Sequence, residues 1–327
     1  ISRLFNFEKM TNNNVLKGVV LVGLGATSYG MLATFVKMAY GEGFTTAEVT
    51  VSQFLFGIIG ILLINAFQRK KNNNTAVKAS RKNITQLMVA GTSTGLTSIF
   101  YYLAVKFDIP VSIAIVLLMQ TVWMGVLLEM FLEKKLPSLI KVVAVVIVLI
   151  GTALATNLMN SEVNLNPLGI FFGMLAAASF TTTMFTANSV ATEISSAQRS
   201  LYMLLGGGTM VLLFALITQI LPNQSETMAD ALGVFSTAQD FNFTIFLKWG
   251  IVLSLFATII PPILLNAGFP HRGIGLGSIV SSLELPVSVL MAFFLLNEKV
   301  ILVQWIGIVL IILAIVIMNI RFKSNKA

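Results

Sequence analysis

Few residues of this sequence could do chemistry in an apolar setting, and Glu284 is the clearest of them. It lies near the middle of the apolar stretch 273–296, where a carboxylate costs several kcal/mol and usually marks a functional position. Pro286 follows two residues later and frees a backbone carbonyl close by. We expect Glu284 either to take up a proton or to pair with the amino group of a solute. The alternative is a protonated carboxyl that hydrogen-bonds a neighbouring helix.

Other polar and aromatic side chains interrupt apolar stretches and could contact the same solute. Trp123 could stack on a ligand or only fill space. Hydroxyl groups at helical spacing could bond a solute, although small-residue stripes also serve close helix packing. Tyr101 and Asn266 are favoured because they occupy equivalent places in the repeat described below. The full set of additional candidates is Gln120, Trp123, Tyr101, Asn266, Tyr29, Ser179 and Thr183.

The sequence offers little for catalysis or for binding a cofactor. It has no cysteine, only one histidine, His271, and no cluster of carboxylates, so we expect no metal site and no catalytic residues. It lacks a nucleophile beside a base, which an enzyme acting on lipid or prenyl substrates would need. A Walker A sequence is also absent. We therefore predict that the protein is not an enzyme and binds no cofactor.

Composition identifies the environment that must position these residues. Of the 327 residues, 56% are hydrophobic and 10% are charged, and such a chain needs lipid as its main solvent. We predict an all-α integral membrane protein, because barrel strands are shorter and alternate polar with apolar residues. The ten apolar stretches fall near 15–37, 48–67, 84–106, 110–131, 138–158, 167–190, 198–221, 245–268, 273–296 and 301–320.

The charges indicate an orientation. With ten spans, all but four of the 21 Lys and Arg residues fall on one side, and the exceptions are Lys37, Lys106, Lys248 and Lys299. Lys and Arg concentrate in cytoplasmic loops of membrane proteins, so both termini are expected in the cytoplasm. The net charge of +8 is then a topology signal, and nucleic acid is not an expected partner.

The chain repeats internally. Residues 16–36 resemble 167–187, pairing Ser28 with Ser179, and 127–135 resemble 292–300, pairing Lys134 with Lys299. The predicted halves are residues 1–158 and 159–327. Five spans per half is an odd number, so the halves must enter the membrane from opposite faces. Inverted repeats are typical of secondary transporters, whose solute site lies near the midplane between the halves.

Each half resembles an EamA-type domain of the drug/metabolite transporter superfamily. The pattern is carried by Leu283 to Lys299, LELPVSVLMAFFLLNEK, and in the first half by Tyr101 to Gly151 with Glu133 and Lys134 at the signature. Thr121 replaces the proline found at 286, which predicts that the two fourth helices bend differently. Gln53 stands near the place where the family often has a basic residue.

The resemblance implies that spans 1, 3, 4, 6, 8 and 9 surround a central cavity, and that the fifth and tenth spans are peripheral and form a dimer contact in some relatives. We predict a multi-pass protein of the bacterial cytoplasmic membrane that exports small polar metabolites, such as amino acids, by alternating access, with proton coupling through Glu284 as an option. Its expected partners are that solute, membrane lipids and a second copy. Two alternatives stay open: a carrier of drugs, nucleotide conjugates or lipid-linked sugars, and an integral membrane enzyme. A channel is disfavoured by the absence of charged rings.

Overall fold

The computed structural model describes residues 12–71, 79–107, 109, 111–157, 166–237, 239–271, 273–295, 297 and 299–324, and the regular secondary structure of these residues is entirely helical. The boundary between the predicted halves at 158, the signature residue Glu298 and both chain termini lie outside the described residues. The helices are α1 Asn12–Gly41, α2 Thr46–Lys71, α3 Arg81–Lys106, α4 Val111–Leu118, α5 Thr121–Glu133, α6 Leu139–Ala155, α7 Pro167–Ser189, α8 Ser196–Gln224, α9 Glu226–Leu232, α10 Phe246–His271, α11 Ile274–Ser281, α12 Glu284–Leu295 and α13 Leu302–Ser324.

Eight helical segments of the described chain are long and apolar enough to cross a membrane. Two of them, Ile113–Glu133 and Ile274–Leu295, are each built from two consecutive helices. The segments Leu139–Ala155 and Leu302–Met318 are apolar but shorter, and 17 residues of α6 extend about 25 Å against about 30 Å of hydrocarbon. Each predicted apolar stretch thus coincides with a helix, and the all-α membrane class is confirmed.

The fourth apolar stretch is interrupted between α4 and α5 although it contains no proline there. The backbone N–H of Gln120 donates to the carbonyl of Leu117 at 3.1 Å, which leaves the carbonyl of Val116 without its usual donor. The side chain of Gln120 satisfies that carbonyl through Nε2 at 3.0 Å. Gln120 therefore stabilises the interruption that its own backbone creates.

The ninth stretch is interrupted at the corresponding place, between α11 and α12. Pro286 lacks an N–H and cannot bond the carbonyl of Ser282, which accepts instead from Leu285 at 3.2 Å. The prediction that the two fourth helices bend differently is therefore wrong, because both are broken. Different local chemistry gives the same break, and broken helices frequently frame solute sites in carriers.

The paired prolines Pro261 and Pro262 affect α10 as expected for residues that cannot donate to the preceding turn. They deprive the carbonyls of Ala257 and Thr258 of donors, and the helix widens into a π-helical segment at Leu255–Ile259. The structure therefore shows a widened turn at this position. Its consequence is that Ala257 and Thr258 face the interior of the bundle.

Helix neighbours follow the order of the repeat. Helix α3 packs against α7 and α8, and its counterpart α10 packs against α1 and α2. Helix α1 packs against α11 and α12, as α7 packs against α4 and α5. Helices α6 and α13 pack on each other, with exposed apolar residues such as Val146 and Val309 on their outer faces. The largest buried core lies around α5, α7 and α11.

Polar contacts join segments that the sequence assigned to the same side. At one end Lys248 donates to Glu42 at 2.8 Å, and this contact keeps the pKa of the Glu42 carboxyl below its ordinary value. At the other end Asn83 donates to Glu193 at 2.8 Å. Each of these two contacts thus joins loops that the sequence assigned to one side of the membrane.

Glu48 has a structural role that the sequence did not predict. It forms a capping box at the start of α2, in which the N–H of Thr45 donates to Glu48 at 2.8 Å and the N–H of Glu48 donates to the Thr45 hydroxyl at 3.1 Å. The carboxylate also accepts from Gln219 at 3.0 Å and from the N–H of Asn242 at 2.7 Å. Glu48 thereby holds the segment that follows α9 against the N-terminal end of α2.

Helices α3 and α8 approach so closely that a methyl group would not fit between them. A Cβ on Gly206 would lie 1.8 Å from the carbonyl oxygen of Met88. We expect Gly206→Ala to destabilise the protein by about 1–3 kcal/mol, as overpacking does, and to lower the melting temperature measured in detergent. Gly41→Ala is the matched control, since a Cβ there meets nothing within 4 Å. Equal melting temperatures for the two variants would contradict this packing.

Candidate substrate cavity

A cavity with a mostly apolar wall and a few polar groups opens between the two halves, beside the break between α11 and α12. Its free volume is about 70 Å³, which is room for about five water-sized groups. Side chains from helices of both halves form its wall. They are Tyr29, Leu32, Ala33, Val36, Gln53, Phe54, Thr94, Thr97, Ser98, Tyr101, Tyr102, Leu118, Phe180, Thr183, Ala257, Thr258 and Glu284.

Glu284 is the first residue of α12 and projects into this cavity. Its side chain is 9% exposed, and its carboxylate makes no hydrogen bond or ion pair with any residue that the structure describes. Its backbone is held firmly, because a Cβ on Gly30 of α1 would lie 2.4 Å from the Glu284 carbonyl oxygen. A fixed backbone thus presents an unpaired carboxylate to the cavity.

Other polar groups of the cavity wall are also without partners among the described residues. The hydroxyl groups of Tyr29 and Tyr101 make no hydrogen bond there. The hydroxyl of Thr94 is buried and equally unsatisfied. Tyr29 and Tyr101 are half-buried, so their hydroxyls, like that of Thr94, can bond a solute or water in the cavity.

Gln53 of α2 is the best-positioned polar side chain opposite these residues. The Tyr102 hydroxyl donates to Gln53 Oε1 at 3.1 Å, and the Thr258 hydroxyl donates to the backbone carbonyl of Gln53 at 2.9 Å. With its oxygen occupied, the carboxamide has its Nε2 donor left for the cavity. The network joins α2, α3 and α10 in a fixed arrangement.

Four of the predicted site residues meet in the cavity. Glu284, Tyr101, Tyr29 and Thr183 all line it. The ring of Tyr29 packs edge-on against Phe180 with centroids 5.8 Å apart, and the Thr183 hydroxyl hydrogen-bonds that of Ser93 at 2.8 Å. The sequence therefore identified the carboxylate and part of the aromatic wall.

The other four predicted residues lie elsewhere. Trp123 Nε1 donates to Gln120 Oε1 at 2.9 Å, so these two side chains satisfy each other at the break between α4 and α5. Asn266 donates to Ser200 at 2.9 Å near the end of α10. Ser179 is half-buried on α7, where its carbonyl accepts from the Thr183 hydroxyl at 3.2 Å. None of the four lines the cavity, and Asn266 Oδ1 is buried without a hydrogen-bond partner among the described residues.

Several residues of the cavity wall were not selected from the sequence, although a signal for them was present. Thr94, Thr97 and Ser98 share one face of α3 with the predicted Tyr101, at the spacing i, i+3, i+4 and i+7. That is the period of a helical face, and here the face is polar within an apolar helix. A search for polar periodicity inside apolar stretches would have found this wall.

A second buried polar cluster, centred on Arg199, lies away from the cavity. Arg199 is 2% exposed and donates to the carbonyls of Val190 at 3.0 Å, Thr186 at 2.9 Å, Ala187 at 2.6 Å and Asn266 at 2.6 Å. Since proline at 270 has no N–H, the Asn266 carbonyl lacks its helical donor. The sequence assigned Arg199 to a cytoplasmic loop, whereas the structure buries it as a cap that joins α7, α8 and α10.

A bundle of membrane-spanning helices around a small cavity with a few polar groups is an architecture typical of solute carriers. The model of the EamA-like transporter family matches residues 16–157 and 167–320. The chain therefore belongs to this family of membrane transporters. The expectation drawn from the duplicated pattern is confirmed.

Comparison of structures agrees with this assignment at the level of the fold. One solved crystal structure of a protein superposes with a TM-score of 0.70 over 96% of this chain and 98% of the other, at 13% sequence identity. At that identity the match shows a shared fold alone. No curated protein matches the chain.

Proposed function

We propose that this protein is a secondary transporter that exports small polar metabolites carrying an amino group, and that Glu284 binds this group. One observation carries the proposal: an unpaired, nearly buried carboxylate faces a cavity whose other polar groups also lack partners. A lone carboxylate in an apolar setting is unfavourable until an opposite charge or a proton neutralises it. An ammonium group or a proton can occupy the same place, which gives a route to coupling.

The packing pattern supports alternating access by two inverted halves. Equivalent helices have equivalent neighbours, and the breaks between α4 and α5 and between α11 and α12 fall at corresponding places of the repeat. With five helical segments per half, equivalent helices run in opposite directions. Exchanging the conformations of the two halves would then open the cavity first to one side and next to the other.

Cavity size supports small metabolites over bulkier solutes. Pockets for drug-sized ligands have volumes of about 300 to 1,000 Å³, whereas this cavity has about 70 Å³. A solute of about half a dozen heavy atoms fits that space with little rearrangement. Drugs, nucleotide conjugates and lipid-linked sugars would need a much wider opening of the bundle.

The charge distribution supports an orientation with both termini in the cytoplasm. Exposed basic residues such as Arg69, Arg81 and Lys134 lie at the ends of helices that the sequence assigns to the cytoplasmic side. We propose the bacterial cytoplasmic membrane as the location. Export then means release at the end where Lys248 contacts Glu42.

Counterflow in proteoliposomes tests the proposed function. Vesicles containing the purified protein are loaded with a mixture of unlabelled amino acids and small amines, and entry of each labelled compound is followed. A carrier is expected to accumulate a labelled solute transiently against its gradient, whereas a channel only equilibrates it and an enzyme releases product. Absence of accumulation for every compound, relative to protein-free vesicles, would overturn the proposal.

A further inference from the structure

The charge balance of the cavity restricts which amines it can accept. Glu284 is the single formally charged side chain among the described residues of the wall. The remaining polar groups are neutral hydroxyls and the carboxamide of Gln53, and the aromatic rings of Tyr29, Tyr101 and Phe180 complete the wall. A cation in the cavity is therefore attracted both by the Glu284 carboxylate and by the aromatic rings of the wall, since aromatic rings attract positive charge. An additional negative charge has no cation to meet it.

Gln53 determines what the cavity can offer to the other end of the solute. Tyr102 occupies the carboxamide oxygen at 3.1 Å, and Thr258 fixes the backbone of Gln53 at 2.9 Å, so the Nε2 hydrogens remain available as donors. A neutral donor suits an amide, ester or hydroxyl oxygen. It does not compensate a carboxylate, whose burial without a counter-charge is strongly unfavourable.

We infer that the cavity selects solutes of net charge +1, namely small amines whose other end is neutral, over zwitterionic amino acids. Glu284 binds the ammonium group, and Gln53, oriented by Tyr102, donates to the neutral end. This inference rests on the proposed function and narrows its substrate class. Gln53 is the residue that determines specificity, and Tyr102 is a positioning residue.

L-Alaninamide and L-alanine test the inference because they have the same number of heavy atoms and differ by an amide in place of a carboxylate. Counterflow of each labelled compound is measured in proteoliposomes at pH 6.5, where the amide is cationic, and protein-free vesicles correct for passive leakage. We expect alaninamide to exchange at least tenfold faster than alanine. Equal rates, faster alanine, or no exchange of either compound would overturn the inferred class.

Two variants separate recognition from folding. Gln53→Lys introduces the missing counter-charge and should reverse the preference, so that alanine exchanges faster than alaninamide. Tyr102→Phe removes the hydroxyl that orients Gln53 and should slow alaninamide exchange while alanine stays slow, so that the ratio of the two rates falls although the protein still folds. An unchanged ratio in both variants would remove Gln53 from the mechanism of selection. The counterflow assay with mixed solutes tests transport itself. If that assay shows transport but alaninamide is not preferred over alanine, the inferred substrate class is rejected and the proposed function is kept.

Discussion

Replacing Glu284 by glutamine should lower amine counterflow by about tenfold to a hundredfold. A hydrogen bond to a charged group contributes about 1.5–3 kcal/mol, and each 1.4 kcal/mol corresponds to a factor of ten. Glutamine keeps the size of the side chain but loses the charge. The measurement is the initial rate of labelled alaninamide exchange at a fixed amount of protein in the vesicles.

Stability separates this effect from a structural one. The Glu284 carboxylate bonds no described residue, so Glu284→Gln should leave the melting temperature in detergent unchanged or higher. Glu226→Gln, an exposed substitution in α9, serves as the control and should alter neither quantity. Wild-type exchange rates in Glu284→Gln over a range of pH would show that the carboxylate takes no part in transport.

Replacing Arg199 by methionine should destabilise the protein more than any other single change discussed here. Val190 still donates to Thr186 at 3.0 Å, but the carbonyls of Ala187, Val190 and Asn266 lose their donor. Each buried unsatisfied carbonyl costs about 1–3 kcal/mol. We expect a fall of several degrees in the melting temperature and a lower yield of folded protein.

Arg199→Lys distinguishes geometry from charge at this position. Lysine keeps the positive charge but lacks the planar fork that reaches several carbonyls at once, so its melting temperature should lie between those of wild type and Arg199→Met. Arg81→Met is the control, because Arg81 is exposed at the start of α3. If Arg199→Met and Arg81→Met have the same melting temperature, the hydrogen bonds of buried Arg199 do not stabilise the fold.

The helical framework could be predicted because it depends on local properties of the chain. Hydrophobic length and the positions of charges mark each apolar stretch, and every one of them coincides with a helix. The break between α4 and α5 could not be predicted in this way. The break depends on a hydrogen bond from the Gln120 side chain to the carbonyl of Val116. Neither the composition of the segment nor a proline indicates that contact.

The site could be predicted in part, because some of its residues are recognisable from the sequence alone and others only from their neighbours in the fold. Glu284 was predicted because a charged side chain near the middle of an apolar stretch is energetically unfavourable. Tyr101 and Asn266 occupy equivalent places in the repeat, yet only Tyr101 lines the cavity, since Asn266 lies in the cluster around Arg199. Sequence equivalence gives the helix and the position along it but not which side chains line the cavity, and that property decides which of them can bind a solute.

Arg199 shows the same limit for charges. Counting cations by loop assigned Arg199 to the cytoplasmic surface, whereas it is the fourth residue of α8 and is buried. Its burial follows from three features that lie far apart in the sequence, namely the end of α7, the start of α8 and the proline at 270. A single-sequence count cannot bring these features together, although each is visible on its own.

The opposite orientation of the two halves is the central claim, and accessibility labelling tests it most directly. The chain has no cysteine, so Lys134→Cys and Lys299→Cys each introduce a single thiol. Both positions are exposed, and they correspond to each other in the repeat. In intact cells a membrane-impermeant maleimide should label the Lys299→Cys variant, and it should label the Lys134→Cys variant only after permeabilisation. Labelling of both variants in intact cells, or of neither, would place the two positions on one face of the membrane and contradict the inverted arrangement.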